Sequence, residues 1–216
     1  MEFSQAVRNR RSDRSFDETR AIPESELREI VEEAGRAPSW ANSQPWKVYI
    51  ATGQALARIK EDHLQRSMRG ETGHADFETM HRMDWGLQAR QNMSAWSASI
   101  SGYLGSDHAQ DFSLLQAHLF DASAIAYIAI PQPAPAWAIM DMGGFAQTLM
   151  LSATSHGIGS IPAYELVKYP EPVRAVMGIP SSELLATGIA LGYADDAYIN
   201  GFRSQRMPVD EYLVIK

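Results

Sequence analysis

The sequence predicts an α+β fold in which a mixed central β-sheet is flanked by helices. The uninterrupted apolar run of residues 124–130 is strand-length and closed by Pro131, so it reads as a strand buried on both faces, and residues 184–191 read as another buried strand. Between them and before them lie segments whose apolar residues recur at helical spacing. No strand leads into a G-x-G-x-x-G turn, which disfavours a doubly wound dinucleotide-binding sheet.

The elements follow in order. Residues 2–10 predict a short amphipathic helix with Arg8, Arg10, Arg11 and Arg14 gathered at its C-terminal end, where cations are favoured. Pro23, with Glu24 and Glu26 behind it, opens a second helix; Leu27, Ile30, Val31 and Ala34 fall on one face, and it stops before Pro38. Residues 46–51 are aromatic and β-branched and predict a strand ended by Gly53. Residues 54–105 read as mostly helical with a break at 70–73. The strand at 124–130 is closed by Pro131 and a Pro/Ala-rich loop to Pro135.

Residues 137–156 are apolar on nearly every side and predict a helix buried in the core or in a subunit interface, capped by Gly157. Residues 159–164 predict a short strand or turn, 170–177 a short helix and 184–191 the second buried strand. Residues 197–216 predict an extended tail, frayed or laid on a neighbour. With no repeat and no linker, a single domain over 1–216 is expected.

Composition excludes several functions. A net charge of −7 argues against nucleic acid as a partner. The absence of cysteine excludes disulfides, thiolate nucleophiles and Cys-based metal sites, so redox chemistry requires a bound cofactor. His63, His74, His81, His108, His118 and His156 form no helical metal-binding pair, and no metal site is expected. There is no G-x-S-x-G elbow for a hydrolase, and no catalytic side-chain triad is expected. The first residues carry no apolar signal core and no segment approaches a membrane span, so a soluble, cytoplasmic protein with no membrane partner is expected.

Four constellations carry chemistry. Arg10, Arg11, Ser12 and Arg14 supply three guanidiniums and a hydroxyl within five residues, a phosphate-matching set or a solvated basic helix end. Pro38, Ser39, Trp40, Asn42, Gln44, Pro45 and Trp46 form a rigid loop with neutral donors and acceptors for a polar heterocycle, or an ordinary helix-to-strand connection. The small residues of 157–164, including Pro162, Ala163 and Tyr164, would let the backbone approach a flat ligand, or simply cap a helix and start a strand. Arg203 and Arg206 form a late basic patch, closing on the same anion or merely charging the tail. The region of Trp85 and Trp96 reads as a packed helix rather than a second cofactor site.

Taken together and in this order, the four segments resemble the nitroreductase family of FMN enzymes. The R-R-S-x-R motif is present as Arg10, Arg11, Ser12 and Arg14, and the P-S-x-x-N-x-Q-P-W segment runs from Pro38 to Trp46. Asp141 to Gly144 with Leu149 and Leu151, Gly178-Ile179-Pro180, Gly188 to Tyr193 and Arg206-Met207-Pro208 match later markers.

The resemblance implies a nitroreductase-like FMN-binding fold in an intertwined homodimer, with the tail reaching the partner subunit. It implies that Arg10, Ser12 and Arg206 hold the FMN phosphate and that Arg14 reaches the pyrimidine edge of the ring. Pro38, Ser39, Trp40 and Asn42 would come from the partner subunit, while Pro162, Ala163 and Tyr164 would line the ring near its reactive nitrogen. A lysine common in the family two residues before the C-terminal arginine is Ser204 here, leaving Arg203 as a substitute.

The implied activity is a ping-pong transfer from NAD(P)H through FMN to a small aromatic acceptor, a nitroaromatic compound first. A quinone, an enone or a halogenated phenol is the alternative acceptor, and a flavin-binding module without turnover is the alternative from another class. Trp40, bulkier than the small residue of many relatives, would wall the acceptor pocket.

Overall fold

A computed structural model describes residues 1–216. At its centre lies β2, Ala124–Pro131, buried at every residue but the last. It pairs with β1, Lys47–Ala51, on one side and with β4, Glu183–Gly192, on the other. The short β3, Gly159–Pro162, pairs with β4 and completes the order β1-β2-β4-β3. All three pairings are antiparallel; parallel pairing is confined to one isolated bridge, Ser12 to Ser160, at the β3 edge. The apolar runs report burial on both faces correctly, but such burial does not set strand direction.

Alternate residues of β2 serve two different cores, as period-two geometry requires. Ala124, Ala126, Ile128 and Ile130 face α2 (Glu24–Ala34) and α6 (Ala136–Ser155), meeting Ile30, Phe145 and Leu149. Ile125, Tyr127 and Ala129 face the opposite layer, where α3 (Gly53–Met68) contributes Leu56 and Ile59 and α7 (Pro170–Met177) contributes Val173. A sheet covered on both faces explains why its central strand tolerates no polar residue. Trp46, just before β1, stacks on Phe145 of α6 with ring centroids 4.9 Å apart.

The remaining helices are α1 (Phe3–Asn9), α4 (Leu87–Leu104) and α5 (Ala109–Ala117), the last not anticipated from the sequence. Ile100 and Leu104 of α4 pack with Ile199 and Phe202 in a third, small cluster. The start of the expected extended tail is therefore part of the packed chain: Tyr198–Gly201 is a 3-10 turn with Ile199 and Asn200 buried. Only beyond it is the tail largely exposed, through Tyr212, Leu213, Val214 and Ile215.

The helix expected to be buried all round, α6, is buried along one face only within the chain, while Trp137, Ile139 and Met140 are exposed. No helix is long and apolar enough to cross a membrane.

At the end of β4 the backbone passes so close to Phe16 that a Cβ on Gly192 would lie 2.8 Å from Phe16 Cβ. The obstructing atom is next to the backbone and cannot swing away. Gly192→Ala is expected to destabilise the protein by about 1–3 kcal/mol through overpacking, read as a lower urea midpoint with an unchanged slope.

Candidate functional site

The basic motif begins where α1 stops. The N–H of Arg10 still donates to Ala6, and the chain then runs along the sheet edge, with Asp13 N–H donating to the Ser160 carbonyl at 3.1 Å and Phe16 N–H to that of Phe120 at 3.1 Å. Gly159 permits this approach, since a Cβ there would sit 2.7 Å from Asp13 Oδ2. Smallness in the 157–164 segment, expected to admit a flat ligand, at Gly159 admits Asp13 and Phe16 instead.

A buried amide ties this segment to the C-terminal one. Asn200 Oδ1 accepts from the N–H of Arg14 at 2.7 Å, and its Nδ2 donates to the Ser15 carbonyl at 2.8 Å. The same amide group donates to Asp195, whose carboxylate accepts from the Ser15 hydroxyl at 2.6 Å. Sequence reading missed Asn200, Asp195 and Asp13. No motif marks Asn200 or Asp195, whose partners Arg14 and Ser15 are brought to them only by the fold, and Asp13 stands at the variable position of the arginine motif.

The guanidiniums are held by neutral oxygens more than by carboxylates. Arg14 donates to the Ser12 carbonyl at 2.9 Å and lies 5.7 Å from the centroid of the Phe202 ring. Arg203 donates to the carbonyls of Asn200 and Phe202 at 2.7 and 3.0 Å, and Arg206 to Ser204 Oγ at 2.8 Å. Only Arg11 has an anionic partner, Asp13 at 2.7 Å. Burial pulls Arg10 below its ordinary pKa and the nearby positive charge of Arg206 adds to this; burial likewise lowers Arg14. Asp13 is pushed up by burial, against the pull of Arg11.

These segments enclose a cavity of about 710 Å³ lined by six arginines (Arg8, Arg10, Arg11, Arg14, Arg203 and Arg206), with Ser12, Gln147, Met150, Pro162 and Phe202 and no carboxylate. In a chain of net charge −7 this local surplus of cations asks for an anion, and the guanidinium forks suit a phosphate. Beside it, sharing Pro162, is a mainly apolar cavity of about 260 Å³ lined by Ala75, Phe77, Thr79, Ala163, Tyr164, Val167, Ala186 and Thr187. A third cavity of about 670 Å³, under α5, carries Glu18, Asp111 and Asp121 and would repel phosphate.

Residues 71–76 form a strap that presents Phe77 and Thr79 to the apolar cavity. Its anchors are Tyr169 Oη on the Glu71 carbonyl at 2.8 Å, His74 N–H on the Lys168 carbonyl at 2.9 Å, and Asp76, which pairs with Arg174 and accepts from the N–H of Leu185 at 2.7 Å. His74 Nε2 also meets Glu171 at 2.8 Å.

Pro38, Ser39, Trp40 and Asn42 line neither the arginine cavity nor the apolar one of their own chain. They lie beside α6, where Trp40 N–H donates to buried Asp141 at 2.9 Å and Ser39 Oγ accepts from Gln44 N–H at 2.9 Å. Ala41, Asn42 and Gln44 all have positive φ, and Trp40 stays 61% exposed. The structure thus gathers Arg10, Arg11, Ser12, Arg14, Pro162, Arg203 and Arg206 round one cavity, with Ala163 and Tyr164 next door, and sets the 38–42 loop apart.

Comparison with known proteins identifies the family of the chain. The model of the Nitroreductase family matches residues 7–193. Nitroreductase NfnB of Mycolicibacterium smegmatis is 34% identical over 213 residues, covering 95% of this chain and 88% of that protein. A 4-nitrobenzoate reductase of Nocardioides is 28% identical over 98% of this chain and 88% of its own length. Among solved structures, the FMN-dependent nitroreductase NfnB from Mycobacterium smegmatis, in complex with NADPH, superposes over 100% of both chains with a TM-score of 0.88 and 31% identity.

The strap's charge pair yields a pH prediction. Its hydrogen bond to Glu171 raises the pKa of His74, so the contribution of the pair is complete below about pH 6.5 and is lost as pH rises through the raised value. Both side chains are about half exposed, so the effect is local. Amide exchange at residues 74–77 is expected to quicken on the alkaline side beyond its intrinsic rise with pH, and His74→Gln is expected to abolish that extra dependence.

Proposed function

The chain belongs to the nitroreductase family, and on that premise we propose that it is an FMN-dependent oxidoreductase that uses NAD(P)H to reduce a small nitroaromatic acceptor. The observation that carries this reading is the cavity with six arginines and no carboxylate, which adjoins an apolar cavity at Pro162. A phosphate at one end and a flat ring towards the other is the outline of FMN. The names of the relatives, a 4-nitrobenzoate reductase among them, support the acceptor class.

Arg10, Ser12 and Arg206 would hold the phosphate, with Arg203 and Arg11 completing the positive field. Arg14, buried and fixed through Ser12 and Asn200, would stand at the pyrimidine edge of the ring, where its charge favours the negative charge gained on reduction. Pro162, Ala163 and Tyr164 would line the ring, and the apolar wall of Phe77 and Val167 would exclude water beside it. When bound, FMN supplies the electron chemistry, accepting hydride from the reduced nicotinamide and passing electrons to an acceptor that follows it in the same pocket. The side chains orient and polarise, and none of them needs to transfer a proton in the first half of the cycle.

We further read the enzyme as a cytoplasmic homodimer built from one domain per chain, the cytoplasm being where reduced nicotinamide is supplied. The exposed apolar residues Trp137, Ile139 and Met140 on α6 and Trp40 beside them support a subunit contact there, since clustered apolar exposure marks interaction surfaces. Pro38, Ser39, Trp40 and Asn42 would then complete the partner's site, and the exposed end of the tail would lie on the partner.

The purified protein is expected to show flavin absorbance that bleaches anaerobically with NADH or NADPH and returns on adding 4-nitrobenzoate. A colourless protein that FMN does not reconstitute would overturn the reading. Arg206→Ala is expected to weaken FMN binding by about tenfold to a hundredfold, the range for a lost hydrogen bond to a charged group, with little change in melting temperature. Trp40→Ala is expected to shift the ranking of acceptors by kcat/KM while leaving FMN affinity in place; an unchanged ranking would remove Trp40 from the acceptor wall.

A further inference from the structure

Away from the arginine cavity, helix α2 carries Glu26, Glu29 and Glu33 on one face, as a spacing of three and four residues requires. Opposite them stands His156, the residue that ends α6. Ligand atoms of Glu29, Glu33 and His156 all lie within 4.8 Å of one another.

The two ring nitrogens of His156 face different carboxylates: Nε2 lies 3.7 Å from Glu33 Oε2 and Nδ1 lies 3.7 Å from Glu26 Oε1. Both separations exceed hydrogen-bond length. The Nε2 to Glu33 gap is instead close to the edge of a metal's coordination tetrahedron, about 3.3–3.5 Å for metal–ligand bonds of about 2.0–2.2 Å.

Glu26 lies on the far side of the ring, the side from which a carboxylate orients a metal-bound histidine, and closing its gap to Nδ1 by about 0.7 Å would make that hydrogen bond. It is itself approached by Tyr193 Oη at 3.3 Å, and Glu33 accepts from Ser152 Oγ at 2.6 Å, so the members on both sides of the imidazole are braced. None of Glu26, Glu29 and Glu33 is in an ion pair with lysine or arginine. The guanidinium of Arg20 stacks on the ring of Tyr193 at 3.3 Å.

We propose that Glu29, Glu33 and Nε2 of His156 bind a divalent first-row transition-metal cation such as zinc, with Glu26 orienting the histidine. The mixed imidazole and carboxylate donor set suits zinc, manganese or nickel better than magnesium or calcium, which prefer oxygen alone. Glu29 and Glu33 are exposed, leaving the outer coordination positions to water. The cation clamps the middle of α2 to the end of α6 and is a staple rather than part of the flavin chemistry. None of its ligands lines the arginine cavity.

The test is isothermal titration of zinc chloride into the flavin-loaded protein after chelator treatment, paired with thermal unfolding. One zinc per chain is expected, with a rise in melting temperature of roughly 5–10 °C when zinc exceeds its dissociation constant a hundredfold. Glu33→Gln and His156→Ala are expected to abolish tight binding, and Glu26→Gln to weaken it about tenfold or more. Glu29→Gln, at an exposed position, is expected to weaken binding with flavin content and zinc-free stability unchanged, which separates loss of the site from loss of the fold. Absence of zinc binding to the unaltered protein, or binding to Glu29→Gln and His156→Ala as strong as to the unaltered protein, overturns the proposal.

Discussion

Six guanidiniums round one cavity repel one another, and a buried amide, that of Asn200, ties together two of the segments that carry them. Asn200 accepts from the N–H of Arg14 and donates to the carbonyl of Ser15, while its own carbonyl holds the guanidinium of Arg203. One residue thus joins the N-terminal half of the anion site to the C-terminal half. Asp195 secures the amide and the Ser15 hydroxyl together. Leaving such buried groups unpaired would cost about 1–3 kcal/mol each, so the hub is a condition for the site as well as for the local fold.

The sheet supplies the other half of the frame. Because β2 is buried on both faces, the layer of α2 and α6 and the layer of α3 and α7 are each fixed against it. The edge at β3 then offers Ser160 to the arginine segment, and the two glycines there, Gly159 and Gly192, leave room for Asp13 and Phe16 to lie against it. Arg14 donates to a neutral carbonyl and neither Arg10 nor Arg14 is in an ion pair with a carboxylate, so their charge remains available to an anion.

Much of this is legible in the sequence alone. A continuous apolar run reports β2 because two-sided burial disfavours polar side chains, the largely apolar stretch 184–191 reports β4, and the start of α2 after Pro23 follows from proline chemistry. Helix α6 was located but its exposed face was not, since Trp137, Ile139 and Met140 are apolar whether they meet a core or a subunit. Helix α5 escaped because no residue of it is fully buried, so no apolar face stands out. The arginines were visible as a local cluster, whereas Asn200, Asp13, and Glu33 with His156 become partners only through contacts between distant stretches of chain. Local pattern carries local information, and hubs of this kind are not local.

The strap at 71–76 has a consequence for how such an enzyme diversifies. Its anchors are Tyr169, Lys168, Arg174 and the edge of β4, none of which lines the arginine cavity. Changes to Phe77 or Thr79 would therefore reshape the apolar cavity without touching the arginines proposed to grip the phosphate. On the proposed reading, the shape of the apolar side and the grip on phosphate are separately mutable traits, and a lineage can vary the one while the other stays in place.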